Sequence, residues 1–197
     1  MADRDTLDTA PPIAAGGDTR DYDNVWVTLH WLTALLVVTQ FALAETWDWF
    51  SRETREGMES THVSLGILLT FVVLTRLIWR SMPSHRRVPL AEGWMLTASN
   101  AVHYLLYVLL IVQAGLGWTI GWAAGHPIHF FGIAIPGPID ALARPMRHEL
   151  REIHEKVGWA IIMVAFGHAM AGLYHHYGLH DRVLGRMFPP ARKSERA

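Results

Sequence analysis

Four histidines stand inside apolar sequence at spacings that suit a shared task. His154 and His168 lie 14 residues apart in "EIHEKVGWAIIMVAFGHAMAGLYHH", Glu152 to His176. An imidazole buried in an oily environment is costly unless something binds it. Fourteen residues are close to four helical turns, so both rings share one helix face, about 21 Å apart along the axis. His30 lies in the first apolar run and His62 at the start of the second. A helix rising from Val25 puts His30 about 7 Å in, and a helix returning to Trp79 puts His62 near the opposite surface, about 18 Å away in depth. That matches the spacing on the last run within the error of helix boundaries. The expected pairs are His62 with His154 and His30 with His168.

Two imidazoles from facing helices in an apolar surround suit the iron of a b-type haem, held without covalent bonds. Zinc or copper usually takes three or four protein ligands. Gly66 and Gly158 follow His62 and His154 by one turn, and Gly167 and Gly172 flank His168. Glycine lets a flat ring approach the backbone. Taken singly, a membrane histidine can simply bond a neighbouring helix. Four at matching depths and faces point to a cofactor.

Other residues carry competing readings. Arg76, at one end of the second run, suits haem propionates; snorkelling and the positive-inside bias explain it equally. His103 has three open roles: propionate contact, quinone contact, or a fifth, competing haem ligand. His175 shares the face of His168 but stands about 31 Å from His154, a full membrane thickness. It is expected near the cytoplasmic surface, at a substrate site or among lipid headgroups. His176 has no assigned role. His85, His126, His129, His148 and His180 are read as solvated.

The elements that must position these groups are four charge-free apolar runs within 197 residues: 24–44, 60–75, 93–139 and 157–180. Runs near twenty residues match the length a helix needs to cross a bilayer. Hydrophobic residues make up 51% of the chain and the mean hydropathy is +0.16, so the apolar residues are clustered rather than spread. The expected helices are Val25–Ala44, Thr61–Trp79, Thr97–Trp122 and Arg147–Tyr177. "GHPIHFFGIAIPGPI" is apolar but rich in Gly and Pro, and reads as a cap lying on the bundle. No internal repeat is evident. The fold class is all-α: an integral membrane four-helix bundle with two haems in its core. Residues 1–22 read as a disordered cytoplasmic tail, 23–180 as the membrane domain, and 181–197 as a C-terminal cytoplasmic tail.

The tail preceding the first run carries six Asp and two Arg, the wrong balance for a secretory signal, so the first run is expected to stay as a helix. With no cysteine there is no disulfide, no Cys-ligated iron–sulfur cluster and no CxxCH haem attachment. A net charge of −1 gives no reason to expect a nucleic-acid partner. Eleven Lys and Arg fall on the side of the termini and six on the other, which places both termini in the cytoplasm. Trp47, Trp49, Trp79, Trp94 and Trp122 sit near helix ends, where aromatic belts form.

"LHWLTALLV", "THVSLGILLTFVVLTRLIWR" and "HEKVGWAIIMVAFGHAMAGLYHHY", with "FGIAIP" and "HHYGLHDRVLGRMFP", resemble the prokaryotic cytochrome b561 family over about Asp21 to Pro190. The resemblance implies that His30, His62, His154 and His168 are the axial ligands of two b haems in a bacterial inner membrane. Members similar to this chain are superoxide oxidases, which pass electrons from superoxide to ubiquinone; a wider branch anchors nickel–iron hydrogenases. Three readings follow. The first is a two-haem carrier of electrons from superoxide, or another outer-face donor such as a periplasmic redox protein, to ubiquinone or another quinone. The second is a membrane anchor and relay subunit of a larger dehydrogenase or hydrogenase. The third is a haem-free metal or proton transporter. Arg52, Arg55, Arg144, Arg147, Arg151 and Lys156 can attract an anionic donor; Glu45, Asp48, Glu53, Glu56 and Glu59 oppose that attraction.

Overall fold

The computed structural model describes residues 24–82, 93–180 and 184–187. The expected tail 1–22, His85 and residues 188–197 lie outside them. Four long helices carry the fold: α1 (Asn24–Thr46), α2 (Arg52–Ser81), α3 (Gly93–Trp122) and α4 (Arg144–Tyr177). At 30 and 34 residues, α2 and α4 are about 45 and 50 Å long, more than the roughly 30 Å of a hydrocarbon core. All four are long and apolar enough to cross a membrane. Large apolar side chains face outward along them, with Leu35, Phe71, Met163 and Phe166 each more than half exposed. In water that surface is a liability; in lipid it is the solvated face. The chain is a multi-pass all-α membrane bundle.

The helix starts differ from the expectation in one informative way. α2 begins nine residues before Thr61. Ser51 caps it, its hydroxyl facing the Thr54 amide at 3.5 Å. Arg52 bonds Glu56 at 2.9 Å and Arg55 bonds Glu59 at 2.7 Å, each one turn apart. Arg55 also pairs with Asp48 on the short 3-10 turn Trp47–Trp49. These charges continue the helix beyond the apolar stretch, so hydropathy alone does not reveal them. α4 likewise starts three residues early at Arg144, with a proline in its first turn.

α1 packs closely on α2, and α3 on α4, while α1 meets α4 along a thinner seam. The buried core cluster is Val73, Tyr107, Leu110 and Ile161, flanked by Val37, Leu69, Leu77, Leu109 and Val157. The expected cap is a β-hairpin, β1 (Ile128–Phe130) against β2 (Ile133–Ile135), antiparallel with Phe130 opposite Ile133. Its turn residues, Phe131 and Gly132, have φ of 45° and 90°, the left-handed pair that a tight hairpin requires. Ser64 on α2 pins it. The Ser64 hydroxyl donates to the His129 carbonyl at 3.3 Å and accepts the Phe131 amide at 3.1 Å. The Trp122 indole donates to the Ile135 carbonyl at 3.3 Å from α3. The hairpin therefore lies on the bundle end nearest His62, two residues from Ser64.

Candidate functional site

The side chains with chemistry form two layers, and each layer draws one residue from every helix. His62 and His154 each stand ten residues after the first residue of their helices, Arg52 and Arg144. Equal advance along α2 and α4 brings them level, and their ring centres are 6.3 Å apart. His30 on α1 and His168 on α4 form the second pair, also 6.3 Å apart. Fourteen residues of α4 separate His154 from His168, about 21 Å. The apolar cluster of Val73, Leu110 and Ile161 lies on the stretches of helix between the layers.

The separation of the pairs suits a bound ion. Two imidazoles on opposite sides of one metal ion, with bonds of about 2.0 Å and ring nitrogens about 1.15 Å from their ring centres, stand about 6.3 Å apart. Rings packed only on each other approach as close as about 4.5 Å. Both pairs leave room between their rings for a metal ion that the two imidazoles would hold. The donor chemistry agrees at His62: its Nδ1 lies 3.2 Å from the Gln40 carbonyl oxygen. A carbonyl only accepts, so the proton sits on Nδ1 and Nε2 keeps the lone pair a metal needs. Trp47 packs edge-on to the same ring at 5.5 Å. The buried Nδ1 of His154 meets no partner at hydrogen-bonding geometry.

The layer around His30 and His168 is more polar. Arg76 is 7% exposed on α2, and its Nη2 lies 3.3 Å from His30 Nδ1. The guanidinium sits over the rings of Trp26 and Tyr107 at 5.3 and 5.5 Å. It is a buried cation available to an anionic group. His103 on α3 packs edge-on to His168 at 5.0 Å. That is closer than two rings sandwiching an ion can stand. Its Nδ1 lies 2.6 Å from the Ser99 carbonyl oxygen. The geometry thus favours support of His168 over the competing-ligand role. His175 is half-buried near the end of α4, away from both pairs, while His176 is exposed and meets Tyr177 edge-on. His126, His129, His148 and His180 are exposed, as expected.

Two features escaped the sequence reading. The glycines have unequal surroundings. A side chain at Gly167 or Gly172 would meet nothing within 4 Å, whereas a Cβ at Gly66 would meet the Gln40 amide at 2.8 Å, and one at Gly158 the Gln113 amide at 3.3 Å. The two helical hairpins also share one spacing. His30 and Gln40 on α1 are ten apart, as are His103 and Gln113 on α3; His62 and Arg76 on α2 are fourteen apart, as are His154 and His168 on α4. The repeat was legible as spacing, but only once the layers are known do those eight positions stand out.

A family model described as prokaryotic cytochrome b561 matches residues 21–190. The chain is 30% identical to cytochrome b561 homolog 1 of Escherichia coli (strain K12), over 85% of this chain and 97% of that protein. It is 28% identical to a probable superoxide oxidase CybB of Yersinia pestis, over 88% and 98%. It is 27% identical to cytochrome b562 of Cereibacter sphaeroides, over 86% and 96%.

Proposed function

The chain belongs to the prokaryotic cytochrome b561 family, b-type haem proteins of electron transfer, and from that premise we propose that it holds two b haems and carries electrons across the bacterial inner membrane to a quinone. His62 and His154 hold one haem and His30 and His168 the other. The observation that carries this is the pair of 6.3 Å ring separations, one at each layer. Bound haem supplies reversible one-electron iron chemistry. The protein's own residues orient the imidazoles, keep water from the apolar interval between layers, and place charge. Ligation of His30 through Nε2 leaves the proton on Nδ1, which then cannot accept from Arg76. The guanidinium is released for a propionate, as a fork that fits a carboxylate. His103 backs His168, and His175 lies on the route to the quinone side.

With eleven of the seventeen Lys and Arg on the side of the termini, both termini are cytoplasmic and the His62–His154 layer faces out. The donor there is superoxide. Arg52 and Arg55 are neutralised by Glu56, Glu59 and Asp48, and Lys156 by Glu152. Arg144, Arg147 and Arg151 are in no ion pair among the described residues. They are the cations left to attract a small anion, against the acids Glu45, Glu53, Asp140, Glu149 and Glu155 on the same side. The similarity to a probable superoxide oxidase supports the same donor.

The test is the haem-to-protein ratio of purified protein in detergent, with superoxide-driven ubiquinone reduction alongside. Two haems are expected in the wild type and one in each of H154A and H168A. A colourless preparation, or full haem content in either variant, overturns the site. Two haems without superoxide turnover, together with a co-purifying soluble oxidoreductase, replaces the donor claim with the relay-subunit reading.

A further inference from the structure

Gly66 stands one turn beyond His62, where a small residue has an obvious use: clearance for a flat macrocycle. The structure fills that space with protein. The Gln40 side chain crosses from α1, and its Nε2 donates to the His62 carbonyl at 2.9 Å. The same carbonyl is the regular helical acceptor of the Gly66 amide. In return His62 Nδ1 donates to the Gln40 carbonyl at 3.2 Å. The two residues thus bond each other twice across the α1–α2 seam, once through each side chain. A Cβ at position 66 would stand 2.8 Å from the same Nε2. The Gln40 amide oxygen is buried with no partner, so the amide is retained for its donor end.

We propose that Gln40 is a positioning residue for His62, and that Gly66 is glycine to admit the Gln40 amide rather than to clear the cofactor. This rests on His62 being an iron ligand. The bond from His62 Nδ1 to a backbone carbonyl fixes the tautomer and ring orientation and raises ligand basicity, as the outer partners of metal-bound histidines do. Gln40's side chain locks the depth at which the two helices meet, so that this carbonyl stays in reach. On the other hairpin, Gln113 approaches Gly158 in the same way, with a Cβ contact of 3.3 Å. There His154 also faces the Gln113 backbone, at looser geometry than His62 faces Gln40.

The clash at position 66 involves the free end of a flexible side chain. Gly66→Ala therefore rotates the amide away without breaking the seam, and has the same consequence as deleting the donor. Three variants of the holoprotein test this: G66A, Q40M, which keeps side-chain volume without the donor, and the double variant. Redox titration followed by the α-band, with low-temperature electron paramagnetic resonance of the ferric haems, reads each haem separately. The expected result is two haems per chain in all three. The midpoint potential of the His62–His154 haem rises equally in each, because a less basic imidazole stabilises the ferric state less. The other haem is unmoved and reports that the fold is intact. The proposal is overturned if G66A loses haem while Q40M keeps it, which is the signature of macrocycle clearance. It is equally overturned if the two shifts add in the double variant, or if neither variant shifts the potential. A wild type that lacks two haems, by contrast, defeats the ligand assignment itself.

Discussion

Replacing Ser64 with alanine should free the hairpin from the bundle without disturbing the core. Ser64 is 2% exposed, and its hydroxyl makes two bonds to β-hairpin backbone, at 3.3 Å to the His129 carbonyl and 3.1 Å from the Phe131 amide. Each bond contributes about 1 kcal/mol net, so their joint loss costs about 2 kcal/mol. A further loss comes from the small void left by the oxygen, well under that of a deleted methyl. At about 1.4 kcal/mol per decade, the opening equilibrium of the hairpin rises by about 30-fold. The Trp122–Ile135 bond from α3 remains and keeps the hairpin from detaching. Amide hydrogen exchange of residues 128–135, measured in detergent or nanodiscs and resolved by peptide, reads this directly. Exchange in α2 and α4 at His62 and His154 should be unchanged. If the hairpin amides exchange at the wild-type rate, Ser64 does not pin the cap. If α2 itself opens, the hydroxyl belongs to the helix core instead.

Two further outcomes separate the roles within the His30–His168 layer. His103→Ala should retain both haems, since its ring stands 5.0 Å from His168 and its Nδ1 is engaged by Ser99; haem content by pyridine haemochrome checks it, and a loss of one haem would restore its place as a ligand. On the two-haem reading, Arg76→Gln should lower the potential of a haem held by His30 and His168 by about 50–100 mV, the effect of losing one positive charge at about 10 Å in an effective dielectric near 20; an unchanged potential would mean that Arg76 serves only the packing of Trp26 and Tyr107.

What the sequence made legible was whatever had a period or a charge boundary. The 14-residue interval on α4 and the matching depths of His30 and His62 yield both pairs, and the structure brings them to one common separation. The start of α2 was not legible, because Arg52–Glu59 is held as helix by paired charges that hydropathy scores as loop. The hairpin was read as a cap but not as strands. Three-residue strands are too short to show alternation. Gly66 was read as cofactor clearance, and the approach of the Gln40 amide to it was not foreseen. No local pattern links residue 66 to residue 40 on another helix. The shared spacing of the two hairpins was hidden for a related reason: its eight positions sit among apolar residues that lipid-facing helices exchange freely.

That shared spacing explains why the two layers differ. In the layer at His62 and His154, equivalent positions of the two hairpins carry the same residue types: histidine with histidine, Gln40 with Gln113. In the other layer the equivalents diverge. The position matching His168 is Arg76, and the position matching His30 is His103. A symmetric bundle would offer four imidazoles there; this chain offers three and a cation. Arg76 thereby removes one choice of ligand pair, leaving His30 and His168 at 6.3 Å while His103 closes to 5.0 Å behind His168. It also places a buried positive charge at that layer and not at the other. A fixed cation stabilises an added electron more strongly in a low-dielectric interior than in water. On the two-haem reading, Arg76 would make an added electron more stable at the His30–His168 layer than at the His62–His154 layer.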